Sequence, residues 1–173
     1  MMVGQTMSSE IVIRQATQDD LVALGRLGST LVRIHHGFDA ARFMAPPRDA
    51  ADGYGWFLGS QLDKADALVL VAEHDGKVIG YVYGSLEGMS WKELRGPAGF
   101  IHDVVVDEAS QGQGIGTALL QAAAGWLEEH GAPRVMLWTA EANPSARRLF
   151  ERLGFRSTMV EMTREPTPKT PQN

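Results

Sequence analysis

The strongest constraint on the fold is a glycine-rich segment, Gln111-Gly112-Gln113-Gly114-Ile115-Gly116, that follows a strand-like run. That run, 100–106, ends in three valines, which is typical of a strand buried on both faces. After the segment, apolar residues recur at helical spacing over 115–127. Alternating glycines allow a tight turn in which several backbone N–H groups point in the same direction. The N-terminus of the following helix favours a bound anion. The segment therefore predicts either a pyrophosphate-binding loop or a glycine-rich turn without a ligand.

Other phosphate-binding loops are excluded by spacing, and several protein classes are excluded by composition. A dinucleotide fingerprint would need glycine where Thr117 stands, and no Gly-Lys-Ser/Thr triplet occurs. The chain has no cysteine, which excludes thiolate metal sites and a cysteine nucleophile. A net charge of -5 argues against nucleic-acid binding, and the longest apolar run, 67–72, is too short for a membrane helix. We therefore expect a cytoplasmic protein that binds neither nucleic acid nor membrane.

The order of predicted elements indicates one α/β domain, at 10–165, between a flexible leader at 1–9 and a flexible Pro-rich tail at 166–173. Asp75-Gly76 predicts a hairpin turn, and Thr17 with Asp20 predicts a helix start. An early hairpin followed by strand–helix–strand predicts a mixed, mostly antiparallel sheet with flanking helices. The predicted strands are 11–13, 67–73, 77–86, 100–106, 135–139 and 155–164. The predicted helices are 21–34, 115–127 and 145–153, whereas 36–55 is predicted to be mostly loop, with helix in part of it left open.

Two motifs in this order resemble those of the GNAT superfamily of N-acetyltransferases. Gln111-x-x-Gly114-x-Gly116 matches its Q/R-x-x-G-x-G/A motif, and the segment 143–155 matches its N-x-x-A-x-x-L-F/Y-x-x-x-G-F pattern. The resemblance covers about residues 68–162. It implies a GNAT-like fold and acetyl-CoA as co-substrate, without a metal.

The resemblance also implies which residues hold acetyl-CoA. The strand backbone would bind the pantetheine arm, and the loop amides would bind the pyrophosphate. An arginine-rich stretch at 134–165 adds local positive charge, so Arg147 is expected to meet a CoA phosphate or else to pair with Glu151. The expected cofactor-binding residues are Val104, Val105, Val106, Gln111, Gly112, Gln113, Gly114, Ile115, Gly116, Thr117, Asn143 and Arg147.

The candidate catalytic residues are His102 and Asp103, which directly precede the cofactor-binding valines. Adjacent strand residues point to opposite faces, so only one of them is expected to face the acceptor. His102 is the preferred general base because its unperturbed pKa of about 6.5 suits proton transfer. The alternative is a structural histidine held by a backbone carbonyl. Phe150 stands where many members have a proton-donating tyrosine, so we expect the thiolate to leave unaided or with another donor, Ser145 or water.

These observations predict an N-acetyltransferase that transfers acetyl directly to a primary amine of a small molecule or peptide. The alternative, motivated by Phe150, is a non-catalytic acyl-CoA-binding regulatory module. The acceptor side is expected to involve His35 and the loop that follows it, with Asp39, Glu87 or Glu93 attracting a cationic amine. A metal site at 35–39 is disfavoured because adjacent helical histidines diverge. Trp126 and Trp138 are predicted to be core residues, and homodimer formation is left open.

Overall fold

One sheet organises the chain, and its five strands stand side by side in chain order. They are β1 (Val12–Gln15), β2 (Ala67–His74), β3 (Lys77–Glu87), β4 (Ala98–Val106) and β5 (Val135–Leu137). Neighbours are antiparallel except β4 and β5, which run parallel. The computed structural model describes residues 10–166, so the predicted leader and all of the predicted tail except Pro166 lie outside the described residues. The mixed, mostly antiparallel sheet confirms the predicted fold class.

Helices cover both faces of this sheet. Within residues 10–166 they are α1 (Leu21–Phe38), α2 (Ala50–Gly59), α3 (Ile115–Glu129) and α4 (Pro144–Arg152), with single 3-10 turns at Gln18–Asp20 and Glu108–Ser110. Strand side chains alternate between faces, so β2, β3 and β4 each contribute to two cores. The core under α1 and α2 contains Leu24, Leu27, Leu58, Val69, Val71, Tyr81, Tyr83 and Val105. The core under α3 and α4 contains Leu68, Leu70, Ala72, Val82, Ile101, Ile115, Leu119, Leu120, Ala123, Leu127 and Phe150.

The region predicted to be mostly loop contains α2, which packs closely against α1. A side chain at Gly25 would lie 2.1 Å from the Ala51 carbonyl oxygen, and one at Gly55 would lie 2.8 Å from the Leu21 carbonyl oxygen. Glycine is therefore required on both helices for their backbones to approach this closely. The helix left open in this region is present at 36–38, the end of α1, and at 50–55. The sequence could not place α2, because glycine lowers intrinsic helix propensity while favouring this tertiary contact. No helix in the described part of the chain combines the length and apolarity needed to cross a membrane.

The predicted last strand, 155–164, is also wrong. This segment has no regular structure, and three of its apolar side chains, Met159, Val160 and Met162, are 81%, 79% and 90% exposed. A strand needs a neighbour with which to exchange backbone hydrogen bonds, and alternation of side chains alone does not supply one. Instead, an Arg42–Glu161 ion pair ties the segment to the loop after α1.

The 3-10 turn at Gln18–Asp20, which leads into α1, is stabilised by a buried carboxylate, which gives a testable effect on stability. Asp20 accepts hydrogen bonds from the Thr17 N–H at 2.8 Å and from Arg14, whose guanidinium also pairs with Glu73. These contacts confirm the predicted helix start. Because Arg14 donates to it, the pKa of Asp20 lies below its usual range.

We expect Asp20→Ala to lower the free energy of unfolding by about 2 kcal/mol at neutral pH, since it removes both a cap and a partner of Arg14. A lowered pKa in the folded state means that this stabilisation is complete above about pH 4 and is lost as the pH falls through the folded value. Denaturant unfolding across this range checks the prediction, with the exposed Asp19→Ala as control. A difference between Asp20→Ala and wild type that does not change with pH would contradict it.

Candidate active site where β4 and β5 separate

The candidate site lies where the two parallel strands part. β4 pairs with β5 only over 99–101, opposite Val135–Leu137, so the edge of β4 that faces β5 has no strand partner over 102–106. A cavity of about 320 Å³ lies at this divergence. Ligands of open α/β sheets bind at such places, outside the carboxyl ends of strands. The cavity is lined by Leu31, Val32, His35, Phe43, Met44, Tyr54, Ile101, His102, Asp103, Val104, Leu137, Trp138, Thr139, Asn143, Ala146 and Phe150.

A β-bulge brings both candidate catalytic residues to this cavity. Tyr83 on β3 pairs with Asp103, whereas the next residue, Gly84, pairs with Ile101, so His102 is the extra residue of β4. His102 stacks on the rings of Tyr83 and Phe100, and Asp103 contacts Tyr81, which lies in the same core as Tyr83. The expectation that only one of the pair faces the site was therefore wrong, because a bulge interrupts the alternation of side chains.

His102 is held by the residues of β3. Its ring lies between those of Tyr83 and Phe100, with centroid distances of 4.8 and 5.0 Å. Its Nε2 is 2.8 Å from the Ser85 hydroxyl oxygen and 3.5 Å from Glu87 Oε1. The imidazole is thus bonded to a side-chain hydroxyl rather than to a backbone carbonyl. Burial lowers the pKa of His102, with Glu87 acting in the opposite direction, so the ring is mainly neutral at pH 7 and can accept a proton.

Asp103 is held by two tyrosine hydroxyls. Tyr54, from α2, donates to its Oδ2 at 2.6 Å, and Tyr81, from β3, donates to the same oxygen at 3.1 Å. Burial raises the pKa of both tyrosines, so they remain protonated donors. Burial also raises the pKa of Asp103, while the two hydroxyls lower it. Sequence reasoning missed these tyrosines, because neither their spacing nor their surroundings in the chain connects them to Asp103.

The glycine loop has the geometry of an anion cradle. Gly112 and Gly114 have φ values of +78° and +79°, which only glycine adopts readily, and the space in front of both is open. The first bond of α3 joins the Ala118 N–H to the Gly114 carbonyl at 3.0 Å. The N–H groups of Ile115, Gly116 and Thr117 therefore have no acceptor within the helix. These residues fit a pyrophosphate, whose oxygens accept hydrogen bonds from such groups at a helix start.

Five of the other predicted cofactor residues lie on β4 or in the glycine loop itself. Val104 and Val106 lie on the α3 side of β4, and Val105 is buried on the opposite side. Gln113 is exposed, whereas the Gln111 amide donates to the Val106 carbonyl at 3.2 Å and so ties the loop to the end of the strand.

Asn143 and Arg147 lie at the start of α4. The Asn143 side chain accepts a hydrogen bond from the Ala146 N–H and thereby caps the helix. Asn143 also lines the cavity. Arg147 is exposed and lines a larger neighbouring cavity of about 870 Å³. Among the described residues it forms no ion pair, so the alternative pairing with Glu151 is absent.

On the acceptor side, the structure brings His35 and Phe43 to the cavity, whereas none of the three predicted acids lines it. Asp39 accepts hydrogen bonds from the N–H groups of its own loop, and Glu87 and Glu93 both pair with Arg95. The core prediction for Trp138 was wrong: its side chain is 73% exposed and contacts Phe100 at the cavity wall. Trp126 packs against the α3 core as predicted. Residues 10–166 contain no group of three or more potential ligands arranged to hold a metal ion.

Comparisons with known proteins agree with this architecture. A protein of Bacillus halodurans has the same fold with a TM-score of 0.75 and 20% identity, covering 90% of this chain and 99% of that one. An aminoglycoside N-acetyltransferase in complex with CoA has a TM-score of 0.70 and 19% identity, covering 94% of this chain and 98% of that one. At these identities the likeness shows the fold alone.

Two proteins of similar sequence are named acetyltransferases. An uncharacterized N-acetyltransferase of Methanocaldococcus jannaschii is 30% identical over 148 residues, covering 86% of this chain and 62% of the relative. A mycothiol acetyltransferase of Thermomonospora curvata is 34% identical over 101 residues, covering 58% of this chain and 31% of the relative. The chain thus spans less than two thirds of the length of both relatives. The acetyltransferase (GNAT) family model matches residues 31–155, which is most of the chain, and the chain therefore belongs to the GNAT acetyltransferase family.

Proposed function

We propose that this chain is an acetyl-CoA-dependent N-acetyltransferase that transfers the acetyl group directly to a primary amine of a small molecule or peptide. The observation that carries the proposal is the bulge in β4, which places His102 and Asp103 together at the cavity. The glycine loop follows the end of the same strand. Family membership and the names of the relatives support the reaction class.

The residues have distinct parts in the proposed reaction. The loop amides of 112–117 and the backbone of Val104–Val106 would hold the CoA moiety and direct the thioester into the cavity. An alkylammonium ion has a pKa of about 10 and must lose a proton before the amine attacks. His102, neutral at pH 7, would take that proton at an imidazole nitrogen. A backbone N–H near Val104 would stabilise the negative charge that develops on the thioester oxygen.

A thiol-release assay tests the proposal against the non-catalytic alternative. The full chain is incubated with acetyl-CoA and a panel of small amines, amine-containing antibiotics and peptides, while free CoA is measured and acetylated products are identified by mass. We expect CoA release that depends on an amine and yields an acetylated amine. Acetyl-CoA binding without turnover across the whole panel would overturn the proposal and favour an acyl-CoA-binding regulatory module.

Phe150 provides a separate prediction about the departing thiolate. Its ring is 7% exposed, packs against Phe155 and lines the cavity, and it has no proton to donate. We expect Phe150→Tyr to change kcat by less than about threefold, because the thiolate of an alkyl thiol with a pKa of about 8.5 leaves adequately without an acid. Steady-state kinetics of both proteins across pH check this. An inactive wild type that becomes active on this change would contradict it.

A further inference from the structure

We propose that Asp103 is the binding group for the acceptor, and that the acceptor is a primary amine bearing a single positive charge on an apolar body. The proposal deepens the proposed function, since it assumes that an amine is the second substrate. It concerns recognition of the amine rather than proton transfer, which is assigned to His102.

One oxygen of Asp103 is free to take a ligand. Both tyrosine hydroxyls donate to Oδ2, and from residues 10–166 no hydrogen bond reaches Oδ1. Within the described residues no fully buried side-chain oxygen lacks a hydrogen-bond partner, so Oδ1 must reach accessible space. Asp103 lines the cavity. The carboxylate therefore presents one oxygen toward the site while the other is fixed by Tyr54 and Tyr81.

Asp103 is also the single carboxylate among the residues that line the cavity. The other titratable groups there are His35, Tyr54 and His102. Asp39, Glu87 and Glu93 do not line this cavity. Asp39 accepts hydrogen bonds from its own loop, Glu93 pairs with Arg95, and Glu87 pairs with Arg95 and lies 3.5 Å from His102. A carboxylate in a partly buried site attracts an ammonium group strongly, because solvent screens the pair less than it would at the surface.

The other residues that line the cavity determine which further groups an acceptor can carry. Apart from His35, Tyr54, His102, Asp103, Thr139 and Asn143, the lining side chains are apolar, including Leu31, Phe43, Leu137 and Trp138. A second ammonium group placed against these walls would lose its hydration without gaining a partner, which is costly. The larger neighbouring cavity has four acids and three arginines, so its charge is nearly balanced. These observations favour an arylalkyl or aliphatic monoamine over a polyamine or an aminoglycoside.

The experiment compares 2-phenylethylamine, its uncharged analogue 2-phenylethanol, spermidine and kanamycin. Binding to the full chain saturated with CoA is measured by calorimetry, which needs no turnover, and kcat and KM are measured with acetyl-CoA. We expect 2-phenylethylamine to bind at least tenfold more tightly than spermidine or kanamycin. In Asp103→Asn we expect its affinity to fall at least tenfold, while the affinity for 2-phenylethanol and the KM for acetyl-CoA stay the same.

Asp75→Asn is the matched control, since Asp75 lies in the exposed β2–β3 turn and lines neither cavity. If Asp103→Asn does not fold, the variant Tyr54→Phe tests the role of Asp103 in amine binding instead. It removes one donor from Asp103, so the pKa of the carboxyl rises and amine binding should weaken at low pH and recover at high pH. Tyr81, His35 and His102, the other titratable groups near Asp103, are unchanged in this variant.

The outcomes separate this proposal from the proposed function. Amine binding that depends on Asp103 without any acetyl transfer would support the binding site and refute the transferase. Acetyl transfer with an amine KM unchanged in Asp103→Asn, or unchanged at every pH in Tyr54→Phe, would overturn the assignment of Asp103. Preferred binding of spermidine or kanamycin would overturn the substrate class.

Discussion

Replacing His102 with glutamine is expected to lower kcat by about 10²- to 10⁴-fold, the range that a general base contributes. Burial holds the pKa of His102 below its ordinary value of about 6.5. The base is active when neutral, so kcat/KM of the wild type should rise with pH through that lowered pKa. Glutamine cannot take a proton, and this inflection should disappear in the variant. The KM for acetyl-CoA should change little, because the loop that holds the CoA moiety is intact.

The pH profiles of kcat/KM for wild type and His102→Gln, measured with one amine, check this prediction. His130→Gln is the matched control: it makes the same substitution at an exposed histidine at the end of α3, stacked on Trp126. It should retain the wild-type profile. Equal rates for His102→Gln and wild type at both low and high pH would remove His102 from the mechanism.

Replacing Gly114 with valine is expected to raise the KM for acetyl-CoA at least tenfold, which corresponds to about 1.4 kcal/mol. Gly114 has φ +79°, and a Cβ there would meet no protein atom within 4 Å. The added side chain would therefore occupy the space in front of the loop amides, where the pyrophosphate is proposed to bind. It would also strain the backbone, since the left-handed conformation costs an ordinary residue about 1–2 kcal/mol.

Gly76→Val separates strain from ligand binding. Gly76, in the β2–β3 turn, has φ +71° and similarly open surroundings, but it lies in a different loop from the proposed cradle. Both variants should therefore lose similar stability in denaturant unfolding, while only Gly114→Val should lose affinity for acetyl-CoA. Equal KM values for acetyl-CoA in the two variants would refute the proposed role of the loop.

The cofactor side was predictable because its determinants are local. The glycines, the preceding valines and the following apolar face lie within about 25 consecutive residues, and backbone amides need no particular side chain to bind an anion. The predicted strand, loop and helix are all present, and their order confirms the prediction. Their contact with acetyl-CoA stays a prediction.

The acceptor side was not predictable because its contacts join distant parts of the chain. Tyr54 is 49 residues from Asp103, and Tyr81 is 22 residues from it. The large apolar ring of Trp138 predicts a core position, yet β5 ends at Leu137 and the indole is exposed. Composition cannot reveal such placements, because they depend on where a strand ends and on which helix lies above it.

The sequence by itself determined the order of the five strands and of α1, α3 and α4, the two-sided burial of β4 and the glycine loop at the start of α3, because each depends on neighbours in the chain. Only the tertiary structure decided that His102 and Asp103 share one face, because the bulge is defined by pairing with β3. It likewise decided that α2 is helical, through glycine contacts with α1, and that 155–164 is not a strand, because that segment gains no strand partner.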